Sequence, residues 1–318
     1  MGTGEQARAA GSSRSAACVA VCAGADGGAV LTTASPGAAG ESGTRALGLT
    51  AEELRGAQVA LSLAGMLVHD EPTPAFVAAL AEPGCLDEAP FAAGNPAVRA
   101  GLAAMRAWLS ERVGAADASV ADLGDAGTEG AASSDASGAG ASPAGAGSEA
   151  YARAACELGR EWLRLLVGTG TPEAPSWESY YTQDDHRLFS PDTVLVKRLY
   201  ERHGMQVEGA GTEPADHLGF LLQFVAWLAG READLIEDVA GATLTLATLQ
   251  ADEREVLERH VLPWLPAWYE AMKRHARTDF YAGVADLVFG LAQEFARRFG
   301  IGYYRSDNAF RPVGVSAR

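Results

Sequence analysis

Large apolar side chains recur every three to four positions through most of this chain, the period of a helix with one buried face. Thr50 followed by Glu53 has the spacing of a capping box and predicts a helix through Leu54, Leu61 and Leu67 that stops before Pro72. A short helix is expected around 76–80 and another through Val98, Leu102, Met105 and Leu109. Tyr151, Ala155, Leu158, Trp162 and Leu165 share one face of the next. Ser190-Pro191-Asp192 joins a capping hydroxyl, a first-turn proline and a first-turn acid, and opens a helix through Leu195, Leu199 and Tyr200 that ends at Gly204. Between Leu218 and Leu228 apolar residues cover almost the whole circumference, which predicts a central helix buried on most sides. Further helices are expected over about 233–246, from about Asp252, and from Trp268 to His275 after the break at Pro263 and Pro266. The last carries the stripe Tyr281, Val284, Val288, Leu291, Phe295 and Phe299. No segment sustains period-two alternation rich in β-branched residues, so the fold class is all-α, a globular bundle of about 9–10 helices.

Two tracts interrupt this pattern. Residues 1–46 consist largely of Ala, Gly, Ser and Thr and have too little to bury to offset their ordering entropy, so a disordered extension is expected. Residues 114–148 hold Val120 and Leu123 as their only sizeable apolar residues, and acids without a basic residue, the composition of a flexible acidic linker. The chain therefore divides into an N-terminal helical part over 47–113, that linker, a C-terminal helical part over 149–303 and a tail over 304–318.

Composition narrows the chemistry. With 25 Lys and Arg against 41 Asp and Glu, the net charge of −16 argues against nucleic acid and suits a basic partner. Nothing approaches the roughly 20 apolar residues of a membrane span. The weak Ala16–Ala23 run lacks the large apolar residues of a secretory signal, and a cytoplasmic protein is expected. Cys18 and Cys22 form a lone C-x3-C pair, and Cys85 and Cys156 stand apart, so neither a disulfide framework nor a zinc site is expected. Phosphate-loop, dinucleotide, zinc-protease and serine-hydrolase signatures are all absent.

The most informative stretch is Glu213-Pro214-Ala215-Asp216-His217-Leu218, ahead of the apolar helix. The acids and the proline suit a helix start, whereas a protonated His217 would be disfavoured at that positive end. Glu213 and His217 stand at i, i+4 and could share a metal, although two ligands do not make a site. Asp216 could instead present a carboxylate to a guanidinium in bidentate geometry, with His217 beside it. Trp177, Tyr180 and Tyr181, in a loop following Pro172 and Pro175, could anchor on the core or line a groove for an apolar peptide. The Val261–Trp268 cluster is read as packing at a helix corner.

Taken in order, the Tyr180-Tyr181 segment, the Ser190-Pro191 helix ending Tyr200-Glu201-Arg202-His203-Gly204, the Glu213–Leu218 element, His260-Val261-Leu262-Pro263-Trp264 and Phe280-Tyr281 resemble the TorD/DmsD family of redox-enzyme maturation chaperones. The likeness spans roughly Thr50 to Gly300 outside the linker and is sharper after Trp177. It implies an all-helical, non-catalytic chaperone without a cofactor. Its partners would be the twin-arginine signal peptide and the apo form of a molybdopterin oxidoreductase of the dimethyl-sulfoxide-reductase type. The resemblance also implies a role for Asp216 and His217 in peptide recognition, and a monomer or a domain-swapped dimer. Asp216 and Glu213 would then meet the guanidinium, and Trp177, Tyr180 and Tyr181 the apolar part. Two rival readings are a metal-dependent or acid–base enzyme using Glu213 and His217, and an acidic scaffold for a basic partner.

Overall fold

The computed structural model describes residues 48–121, 143–168, 170–186, 188–205, 213–237 and 245–314. Ten α-helices occur among them: α1 (Ala51–His69), α2 (Pro74–Ala81), α3 (Pro96–Ala121), α4 (Pro143–Trp162), α5 (Glu178–Thr182), α6 (Pro191–Arg202), α7 (Leu218–Ile236), α8 (Leu246–Glu255), α9 (Leu265–His275) and α10 (Asp279–Arg297). Among the described residues, none of these helices is long and apolar enough to cross a membrane.

Most starts follow local chemistry. Thr50 and Glu53 form the expected capping box on α1, and Ser190 accepts from the Asp192 N–H at the start of α6. Gly204, at φ +68°, takes the left-handed conformation after α6 that a side chain would strain. Two stretches differ from expectation. Glu178–Thr182 is a short helix, not a loop, and the span read as one helix over 233–246 ends with α7 at Ile236, with α8 starting at Leu246.

The acidic tract also differs at its margins. Helix α3 continues to Ala121 and α4 begins at Pro143, because the alanine-rich ends carry enough helix propensity to extend their neighbours. The interior of that tract and the 1–46 extension lie outside the described residues. Helices α4 and α8 each continue into a turn of π-helix, Leu163–Val167 and Val256–Val261. After α10 the chain forms an antiparallel hairpin, β1 (Ile301–Tyr304) with β2 (Ala309–Pro312), in place of the expected tail. Tyr303 and Phe310 close it over Phe289 of α10. Strands of four residues are too short for alternation to register in the sequence.

Two antiparallel helix pairs organise the core. Helix α1 lies along α7, with Arg55 bonded to the Gly230 carbonyl and to Asp234 at one end and Gly65 against Gly219 at the other. Helix α3 lies along α10, with Asn95 donating to the Gly290 carbonyl and Trp108 on Phe280 at opposite ends. Helices α7 and α10 bury residues on nearly all sides. At the α3–α10 crossing a Cβ on Gly101 would stand 2.5 Å from the Gly283 carbonyl oxygen and 2.7 Å from the Leu287 nitrogen. Gly101→Ala must push the two helices apart and is expected to destabilise the protein by about 1–3 kcal/mol, read from urea unfolding.

Candidate functional site

Helices α5, α6 and α7 converge through the turn that precedes α7. Leu218 N–H donates to the Ser176 carbonyl at 2.7 Å and Glu178 N–H to the Asp216 carbonyl at 3.1 Å, so 176–178 and 216–218 run side by side as a short bridge. Asp216 is fully buried at this junction. Its Oδ2 accepts from the Ser179 N–H at 2.7 Å and its Oδ1 from the Thr193 hydroxyl at 2.9 Å. One carboxyl thus caps the first turn of α5 and ties it to α6, while Tyr200 of α6 donates its hydroxyl to the Ala215 carbonyl at 3.0 Å.

Asp216 therefore does not lie open to a guanidinium. Both oxygens are spent on donors from two other segments, and leaving those donors empty would cost more than a surface contact returns. His217, buried as well, is the N-cap of α7: its Nδ1 accepts from the Gly219 N–H at 3.1 Å. Burial holds its pKa well below the usual histidine range, and the charge of His69 adds to the effect. A neutral imidazole fits the positive end of a helix, which accounts for a histidine at that position.

The aromatics stand as packing. The Trp177 ring meets the edge of His217 at 5.3 Å, Tyr181 stacks on Trp264 at 5.2 Å, and Tyr180 stacks on His186 at 4.4 Å. None of the three is among the residues that line the cavity beside α6. Behind them Glu178 and His260, both buried, are hydrogen-bonded, with Nδ1 of His260 3.0 Å from Oε2 of Glu178. Burial raises the Glu178 pKa to about 7 against the opposing pull of His260. Because that value lies above the ordinary carboxylate range, the stability linked to it is full below that range and declines as pH rises through 7.

The open space lies one layer out from Asp216. A cavity of about 360 Å³ is lined by Phe189, Ser190, Thr193, Val194, Lys197, Tyr200, Glu201, Met205, Glu213 and Ala215. Thr193, bonded to Asp216 on its inner side, forms part of the wall. Phe189 is 57% exposed at its mouth, and Leu188 and Val194 also reach solvent. Glu201 and Glu213 bring carboxylates to the lining, and Lys197 lies 3.9 Å from Glu201.

Of the residues expected to form a site, Glu213 alone reaches this cavity; Asp216 backs its wall through Thr193, and His217, Trp177, Tyr180 and Tyr181 are not in its lining. Glu213 and His217 have separate partners, Nε2 of His69 at 3.3 Å and the Gly219 N–H, so they do not converge on a shared ion. Among the described residues no group of three His, Cys, Asp or Glu is placed to hold a metal. The sequence reading missed Phe189, Thr193, Val194 and Met205. The available signal was an excess of apolar positions on α6: Val196, Leu199 and Tyr200 complete its buried stripe, leaving Val194 and Leu195 outside.

Residues 135–270 match the family described as the nitrate reductase delta subunit. The chain is 28% identical over 133 residues to the Tat proofreading chaperone DmsD of Salmonella typhi, covering 41% of this chain and 56% of that protein. It is 33% identical over 138 residues to the chaperone protein TorD of Vibrio cholerae serotype O1 (strain ATCC 39541 / Classical Ogawa 395 / O395), covering 43% and 60% respectively. A TorD of Psychrobacter sp. is 27% identical over 146 residues. The chain thus spans a little over half the length of the curated relatives it matches.

Proposed function

We propose, from a chain whose family match and relatives support the TorD/DmsD family, that it is a non-catalytic maturation chaperone whose α6 cavity holds a basic and apolar segment of its client. The relatives are named chaperones, and DmsD is named for Tat proofreading, which supports a twin-arginine signal peptide as that segment. The client would be the apo form of a molybdopterin oxidoreductase, met in the cytoplasm. The observation that carries this reading is the partly open cavity itself. Phe189, Val194, Met205 and Ala215 offer apolar surface, and Glu201 and Glu213 stand beside it.

The division of labour follows from the chemistry. Apolar side chains of the peptide cover Phe189 and Val194, which removes exposed hydrophobic area and drives binding. A guanidinium takes Glu213, a half-buried carboxylate at the cavity. Asp216 acts from behind, holding Thr193 and the start of α5 so that the wall keeps its shape.

Calorimetry with a synthetic peptide carrying an arginine pair and an apolar stretch tests this reading. Val194 is half exposed, so Val194→Asp should leave the melting midpoint unchanged. It should weaken binding by about tenfold or more, the equivalent of losing one buried valine. Normal binding by that variant would move the site elsewhere.

A further inference from the structure

We infer that His69, at the end of α1, is the positioning residue for Glu213, clamping it at the cavity as an imidazolium held between two carboxylates. The inference rests on the peptide-binding reading of the cavity. His69 Nδ1 lies 2.6 Å from Asp70 Oδ1 and Nε2 lies 3.3 Å from Glu213 Oε2. A neutral imidazole donates from one ring nitrogen only, whereas the imidazolium donates from both. Carboxylates facing both nitrogens therefore select the charged form. The ring is packed on Phe220 at 4.4 Å and against the edge of His217 at 5.1 Å, which fixes its plane.

The ionisable groups facing His69 are Asp70 beside it, Glu213 from the turn before α7, and His217 at the start of α7. His217 is held neutral, so it does not oppose the charge on its neighbour. Burial alone would lower the His69 pKa; the hydrogen bonds to Asp70 and Glu213 outweigh burial and raise it to about 9. The sign follows from that elevation. The stability that the clamp lends is full below the ordinary histidine value of about 6.5, and the clamp itself is lost as pH rises through 9.

What the clamp does for the site follows from which bond survives. A neutral His69 keeps the shorter contact, to Asp70, and releases Glu213. A released glutamate must be ordered again by the peptide, which costs roughly three- to tenfold in affinity, about 0.6–1.4 kcal/mol. The clamp also anchors α1, from the N-terminal part of the chain, to the turn that carries Glu213, so that two separate regions meet at this lining residue.

Two measurements on the full chain decide the matter. In the first, ¹⁵N spectra of imidazole side chains should give His69 both nitrogens protonated at pH 7.5 and a midpoint near 9; a neutral ring at pH 7.5 overturns the clamp whether or not any peptide binds. In the second, an acetylated peptide with two arginines, an apolar stretch and no other titratable side chain is titrated across the same range. Wild-type affinity should fall about three- to tenfold between pH 7.5 and 10, and His69→Gln should start at the lower value and stay flat. A profile shared by wild type and variant, or affinity that rises as the ring loses its proton, would mean that His69 masks or ignores Glu213. If wild type binds no peptide at any pH, the cavity reading fails, and the imidazole spectra still judge the clamp separately.

Discussion

Replacing Arg298 with methionine should lower stability by about 3–5 kcal/mol, among the largest single-residue effects expected in this chain. The Arg298 side chain is 4% exposed, just beyond α10. Its Nη2 donates to both oxygens of Glu232 on α7 at 2.8 Å, and Nη1 lies 3.1 Å from Glu253 on α8. The guanidinium also covers the rings of Phe295 and Phe299, each at 5.0 Å. One cation thus joins three helices over two carboxyl groups that have no route to water. Burial pushes the Glu253 pKa well above the carboxylate range; Arg298 opposes the shift and Glu232 adds to it, so Arg298 is what holds the carboxyl groups together in this buried place. Methionine removes that cation and leaves the carboxyl groups buried. The deficit should be large at pH 7.5 and shrink at pH 5, because acid neutralises the carboxyl groups left behind. Urea unfolding at the two pH values checks both size and sign.

The second large effect concerns Asp216. Asp216→Ala leaves the Ser179 N–H and the Thr193 hydroxyl without an acceptor in a buried place, and a loss of about 2–4 kcal/mol is expected. Peptide binding should weaken in the same variant because the cavity wall at Thr193 loses its support. It should weaken to the same degree for a twin-arginine and a twin-lysine peptide. A carboxylate that touched the guanidinium would behave in the opposite way: the melting midpoint would hold, and the preference for arginine over lysine would vanish. Thermal melts run beside the two titrations separate the cases.

How far the sequence reached depends on how local the chemistry is. The starts of α1 and α6 were legible because Thr50 with Glu53, and Ser190 with Pro191, complete their caps within a few residues. Helix α7 was legible because apolar residues on every side leave a helix nowhere to lie but the middle. The burial of Asp216 was not legible for the converse reason. Its two donors lie 37 and 23 residues away along the chain, and nothing at 216 distinguishes a buried strut from an exposed acceptor. The same distance hid the link between His69 and Glu213, which are 144 residues apart. Leu195, named with Leu199 and Tyr200 as marking the helix, is 44% exposed while those two are buried, since two adjacent apolar stripes look alike until one is covered.

The central claim is that the α6 cavity receives the apolar part of a basic client segment, and photo-crosslinking tests it most directly. A peptide with an arginine pair and a photoreactive residue in its apolar stretch is irradiated with the full chain, and the adducts are located by mass spectrometry. Adducts on Phe189, Val194 or Met205 are predicted. Adducts gathered on the hairpin near Val313, or around Leu163 and Val167 at the end of α4, with none at α6, would contradict the account.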